Sequence, residues 1–161
     1  MLECNCPDCQ NKKACSLSDY GYIYNIGPQI VILNTDVMFS NNQALKGITH
    51  TVGTSEININ SSGVYDIKYY VYSVDPSQYE LFVGGSPLAA SSSSLYGQAF
   101  PFQLTYGQVI ANLTDGDILT LRLRDTVGPT TPLVVAPGGI FNTVNASITI
   151  LKIDRTGTCT C

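Results

Sequence analysis

Gly63-Val64-Tyr65-Asp66-Ile67-Lys68-Tyr69-Tyr70-Val71-Tyr72-Ser73 is the stretch that decides the fold class. Tyr65, Ile67, Tyr69 and Val71 recur with a period of two, so they share one face of a long strand. Together with Tyr65 and Tyr69, Tyr70 and Tyr72 put aromatic rings on both faces of that strand. One face is core. The other is expected to be covered by another subunit, because an aromatic stripe facing water is an association liability. A ligand-binding groove is the competing use of that face.

Working outward, strand follows strand. Glu56-Ile57-Asn58-Ile59-Asn60 alternates cleanly before the turn Ser61-Ser62-Gly63, Gln29 to Leu33 is a short apolar run, and Asp36 to Ser40 and Ile48 to Val52 are weaker strands. Ser77 to Val83 follows Asp75-Pro76 and ends at the turn Gly84-Gly85. Phe100, Phe102, Leu104 and Tyr106 line one face, then the apolar phase passes to Val109, Ala111 and Leu113, which places a bulge or bend at Gly107. After the tight turn Asp115-Gly116-Asp117, Leu119, Leu121 and Leu123 alternate with Thr120, Arg122 and Arg124. The last strand runs from Val144 to Asp154. Ser86 to Tyr96 and Gly128 to Gly139 offer little apolar alternation and are expected as exposed loops. The sum is an all-β chain of about ten antiparallel strands without a helix, a jelly-roll sandwich.

Composition agrees. A chain of 161 residues with 14 Gly, 8 Pro, 10 Tyr and only 12% charged residues fits one turn-rich β domain. Eight Lys plus Arg stand against twelve Asp plus Glu, and no basic cluster exists to neutralise phosphates, so nucleic acid is not an expected partner. No apolar run approaches the length of a membrane span, and Met1-Leu2-Glu3-Cys4 lacks the basic and apolar regions of a secretory signal.

The cysteines are segregated. Cys4, Cys6, Cys9 and Cys15 lie in a polar N-terminal stretch, Cys159 and Cys161 close the chain, and none lies between. This divides the chain into a cysteine-rich connector arm (1–19), a jelly-roll domain (20–155) and a short tail (156–161). A framework that stabilised the core would scatter cysteines among the strands. Jelly-roll termini are expected on edge strands, and a stretched arm spans up to roughly 50 Å, enough to cross a neighbouring subunit. Disulfides between subunits are therefore one use of these thiols, with Cys4, Cys6 and Cys9 far out on the arm and Cys15 close enough to the body to pair locally. Closure of arm and tail on their own domain is another. Four thiolates in Cys4-x-Cys6-x-x-Cys9 with Cys15 would also suit tetrahedral zinc, but they crowd together and leave Cys159 and Cys161 without a role. The pairing stays open.

Gly63-Val64-Tyr65, Leu113-Thr114-Asp115-Gly116-Asp117 and Ala146-Ser147-Ile148-Thr149-Ile150-Leu151-Lys152, in this order and spacing, resemble the head domain of the collagen-like exosporium glycoproteins of bacilli, over about residues 22 to 154. That head belongs to the tumour-necrosis-factor and complement-like trimeric jelly rolls, so the resemblance implies a trimer. No Gly-X-Y stalk precedes the domain here. A jelly roll behind a cysteine-bearing connector is similar instead to the subunits of endospore appendages, which are disulfide-cross-linked pili. That resemblance implies self-assembly of stacked rings into a fibre on the spore surface. It also implies an extracellular location reached by mother-cell lysis without a signal peptide, and an anchor protein of the spore coat or exosporium. A trimeric binding head tethered by its cysteines is the alternative.

The remaining constellations point to no catalysis. His50, the only histidine, is expected as a half-exposed strand residue with no nucleophile motif beside it. Asp115 and Asp117 are too few for a calcium loop. Asn60, Asn112 and Asn145 begin glycosylation-type triplets that carry little weight in predicted strands. No metal or cofactor is expected.

Overall fold

The computed structural model describes residues 19–88 and 92–154. Their strands are β1 (Tyr20–Asn25), β2 (Ile30–Ile32), β3 (Asn41–Lys46), β4 (Ile48–His50), β5 (Ile57–Ile59), β6 (Gly63–Ser73) and β7 (Ser77–Val83), then β8 (Ser86–Pro87), β9 (Tyr96–Gln98), β10 (Gln103–Leu113), β11 (Ile118–Thr126), β12 (Thr130–Pro132) and β13 (Ala146–Lys152). One sheet has the order β10-β6-β13-β1-β3. The second runs β4-β5-β11-β7-β8, with β9 also paired to β7, and β12 pairs with β2 apart from both. Every pairing is antiparallel. The architecture is a jelly-roll sandwich, as the alternation predicts, with thirteen strands in place of about ten.

The core forms where the inner faces meet. Tyr65, Ile67, Tyr69 and Val71 of β6 and Ile148 and Ile150 of β13 pack toward Leu81 of β7 and Leu119, Leu121 and Leu123 of β11, all essentially inaccessible to water. Each such aliphatic side chain stabilises the fold by about 1.5 to 3 kcal/mol relative to exposure. Tyr69 crosses between the sheets, its hydroxyl donating toward the carbonyl oxygens of Tyr79 at 2.7 Å and Ser94 at 2.9 Å.

Four sequence expectations need correction. Gly107 is no bulge: β10 pairs with β6 in one unbroken register from Gln103 opposite Ser73 to Leu113 opposite Gly63. Gly107 lies opposite Tyr69, and a Cβ there would run into the phenol ring, so the missing side chain makes room for the crossing tyrosine. The apparent phase shift arises because both faces of β10 carry apolar residues. The two soft stretches are partly built in: Ser86–Pro87 and Tyr96–Gln98 are strands, Ser94 is buried, and Gly128 to Gly139 contains β12 with buried Thr131, Leu133 and Val134. Asp36 to Ser40 forms only isolated bridges, Asp36 to Arg122 and Phe39 to Thr54. Lastly, the domain's ends are on neighbouring inner strands, since β13 is the middle strand of its sheet and β1 pairs directly with it.

Where the sequence does specify a turn, the backbone agrees. Gly84 and Gly85 both take positive φ between β7 and β8, the geometry that joins a two-residue hairpin.

Two predictions follow from the crossing tyrosine and its neighbours. Gly107→Ala should lower stability by about 1 to 3 kcal/mol through overpacking against Tyr69, read as a lower urea midpoint. Burial pushes the Tyr79 hydroxyl up from 10.0 to about 12 and raises Tyr69 as well. The fold therefore prefers both phenols protonated; the Tyr79 contribution is complete below pH 10.0 and lost as the pH rises through about 12, and Tyr69 adds to the fall above pH 10.0. Denaturant titrations across that window should show falling stability, and Tyr79→Phe should flatten the fall.

Candidate self-association surface

The outward face of the five-stranded sheet is built by the even residues of β6 and β10 and their partners. Tyr24, Ser147, Tyr70 and Tyr106 lie side by side across four strands, and Tyr22, Thr149, Lys68 and Gln108 form the next row. Tyr72 pairs with Leu104. The rings of Tyr22 and Tyr24 stack with centroids 5.1 Å apart. The Tyr70 hydroxyl donates to the Val144 carbonyl, and partial burial, followed by the neighbouring Tyr22 and Tyr72, raises its pKa. Toward the β10 edge the face is open: Leu104 is 51%, Tyr106 50% and Ile110 63% exposed. The Lys68–Asp66 pair on this face, at 2.8 Å, is exposed and adds little stability. The concavities lined by Pro76, Gln98 and Val127 and by Ile30, Met38 and Arg122 lie off this broad aromatic face.

The two poles of the sandwich differ. At one, Asp19 precedes β1 and Asp154 follows β13, and the two strands are tied by the Lys152 amide donating to the Asp19 carbonyl at 3.0 Å. Both cysteine-bearing segments therefore leave the domain side by side. Cys4, Cys6, Cys9, Cys15, Cys159 and Cys161 themselves lie outside the described residues. At the other pole, the loops carry Phe100, Phe102, Val127, Ile140 and Phe141, each at least 59% exposed.

The fold is that of complement and tumour-necrosis-factor domains. The globular domain of zebrafish complement 1qA protein aligns with a TM-score of 0.64 at 12% identity, covering 85% of this chain and 98% of that one. Eiger TNF from S. frugiperda gives 0.63 at 12% identity over 91% and 99%. Murine APRIL gives 0.54 at 11% identity over 84% and 98%. No protein-family model matches the chain, and no curated protein matches it by sequence.

His50 departs from its expectation. It is buried, its Nδ1 meets the side-chain oxygen of Asn42, its Nε2 lies 3.0 Å from the Thr54 carbonyl, and its ring stands edge-on to Phe39. It is a structural tie between β3, β4 and the following turn. Asp117 caps its own turn by accepting from the Thr114 amide at 2.8 Å, with Gly116 at positive φ. Asn145 is fully buried and bonded to Asn25, so it is no attachment point for a glycan. No cluster of His, Cys, Asp and Glu suited to a metal ion occurs among the described residues.

The sequence pointed to Tyr70 and Tyr72 on this face and to Leu104 and Tyr106 on one face of their own strand, without joining the two, and it missed Tyr22 and Tyr24. The alternation Tyr20-Gly21-Tyr22-Ile23-Tyr24 was the available signal. If this face is buried between copies, Leu104→Asp with Tyr106→Asp should leave the far-UV spectrum unchanged. Light scattering in reductant should then shift from an oligomeric to a monomeric mass.

Proposed function

We propose that the chain is a structural subunit of an extracellular, spore-associated fibre, an endospore appendage in which jelly-roll domains trimerise through the tyrosine face and are joined lengthwise by their arms. The observation that carries this reading is the polarity of the domain. Cysteine-bearing segments leave one pole, and exposed apolar side chains crowd the other. A contact between unlike poles does not close on itself and propagates into a filament. The 11-residue strand β6 is about 36 Å long, so an arm reaching up to roughly 50 Å can pass the length of a neighbouring domain. Noncovalent docking would set the register, and disulfides through Cys4, Cys6 and Cys9 would make separation require reduction as well as unfolding.

A second reading has its own support. Both tails leave one pole, the arrangement a tether uses, and the opposite pole would then be the contact surface of a trimeric binding head held on the spore by an anchor protein. The likeness to complement and tumour-necrosis-factor domains, at 11 to 12% identity, supports the fold that both readings share. In either reading the chain catalyses no reaction on other molecules.

Boiling the oxidised protein in detergent with and without thiol separates the two. A ladder that collapses to the single-chain mass on reduction, and is lost in the triple variant Cys4→Ser, Cys6→Ser, Cys9→Ser while the domain stays folded, is the fibre outcome. A single-chain band in both lanes rules the cross-linked fibre out.

A further inference from the structure

The pole where the chain ends meet holds a buried lysine that the surface described above does not use. Lys152 is 3% exposed at the end of β13. Its parity on the strand turns it inward beside Tyr65, with which it pairs in register. Asp19 is the residue opposite it across the β1–β13 ladder, so their side chains are cross-strand neighbours on the same face. Lys152 Nζ lies 3.6 Å from Asp19 Oδ2 and 3.1 Å from Ser61 Oγ, and 5.9 Å from the centre of the Tyr65 ring. The Ser61 hydroxyl donates to Asp19 Oδ2, while the Tyr65 hydroxyl donates to the Ser61 carbonyl at 2.8 Å and stands 3.4 Å from the same Asp19 oxygen. Asp154 lies near Gly63 beside this pair, its Oδ1 buried without a hydrogen-bond partner. Its carboxylate and Lys152 Cε both crowd the space a Cβ would need at Gly63.

A buried amine against a carboxyl group, and one hydroxyl that accepts from the amine and donates to the carboxyl, are the parts of an amide-forming site. We infer that Lys152 and Asp19 condense within the chain to an isopeptide bond joining the first strand of the domain to the last. Ser61 accepts from the Lys152 ammonium and donates to Asp19 Oδ2, so its hydroxyl relays one proton from nitrogen to that oxygen, leaving a neutral amine beside a neutral acid. The Nζ lone pair attacks Asp19 Cγ, and the Oδ2 hydroxyl, taking a second proton from nitrogen through Ser61, leaves as water. One N–C bond forms, one C–O bond breaks, one water departs, no electrons are exchanged, and Ser61 ends as it began. Folding supplies the proximity that stands in for an activated acyl donor, and the reaction runs once per chain.

The cross-link would sit at the root of both cysteine-bearing segments, so a pull on either would meet a covalent bond in place of a hydrogen-bonded ladder. It depends on this cluster alone and stands whether the chain builds a fibre or a tethered head.

Intact-mass spectrometry of the whole recombinant chain, incubated folded and then reduced and alkylated, tests it. The expected mass is about 18 Da, one water, below that of the linear chain. Digestion should yield a branched peptide containing Asp19 and Lys152. Lys152→Arg and Ser61→Ala should restore the full mass, the latter with the circular dichroism of the parent. A wild-type chain that keeps its full mass after prolonged incubation overturns the proposal, and so does a water loss mapped to any other pair. The wild-type measurement decides even if a variant fails to fold.

Discussion

Tyr69 holds the two sheets at their working distance. Its ring starts on β6 of one sheet, fills the space left by Gly107, meets Tyr96 edge-on at 6.2 Å, and ends with its hydroxyl among backbone carbonyls of the other layer. A buried phenol gains by hydrogen-bonding, and at this separation of the layers the Tyr69 hydroxyl reaches its acceptors. The aliphatic core fills in around that spacing: Leu121 and Leu123 from one side, Ile148 and Ile150 from the other. Gly107 and Tyr69 are thus one feature divided between two strands.

With the layers fixed, β6 has no choice about its other side. Strand geometry sends Tyr70 and Tyr72 outward wherever Tyr69 and Val71 go inward. Geometry fixes those positions and not their residue types: Asp66 and Lys68 stand on the same face, so its aromatic character belongs to Tyr70 and Tyr72 themselves. Association through that face and packing of the core are readings of the same eleven residues.

The large elements were legible because they alternate. β6, β7, β11 and β13 were visible with boundaries within a few residues, and the alternation of Leu119, Leu121 and Leu123 gave the inner face of the second sheet directly. β3, Asn-Asn-Gln-Ala-Leu-Lys, was illegible because it is an edge strand whose side chains are mostly exposed, so no apolar period marks it. β12 failed for a related reason: Thr130-Thr131-Pro132 buries a threonine, and burial of a polar side chain leaves no hydrophobic signal. His50 looked half-exposed because its partners, Asn42 and Thr54, are polar neighbours brought together only by the fold. The Asp19–Lys152 contact was beyond reach for the plainest reason, since register between the first and last strands of the domain is not written in either of them.

That register also has a bearing on timing. β1 leaves the ribosome first and has β13 and β3 as its partners, while β13 takes β6 on its other side. The middle of the sheet is missing until the final strand emerges, so β1 has only β3 to pair with and stays apart from β6 for most of synthesis. A chain cut short upstream of residue 146 would leave β1 and β6 without the strand that lies between them. Completion of the domain thus acts as a proofreading step for whatever the two ends go on to do.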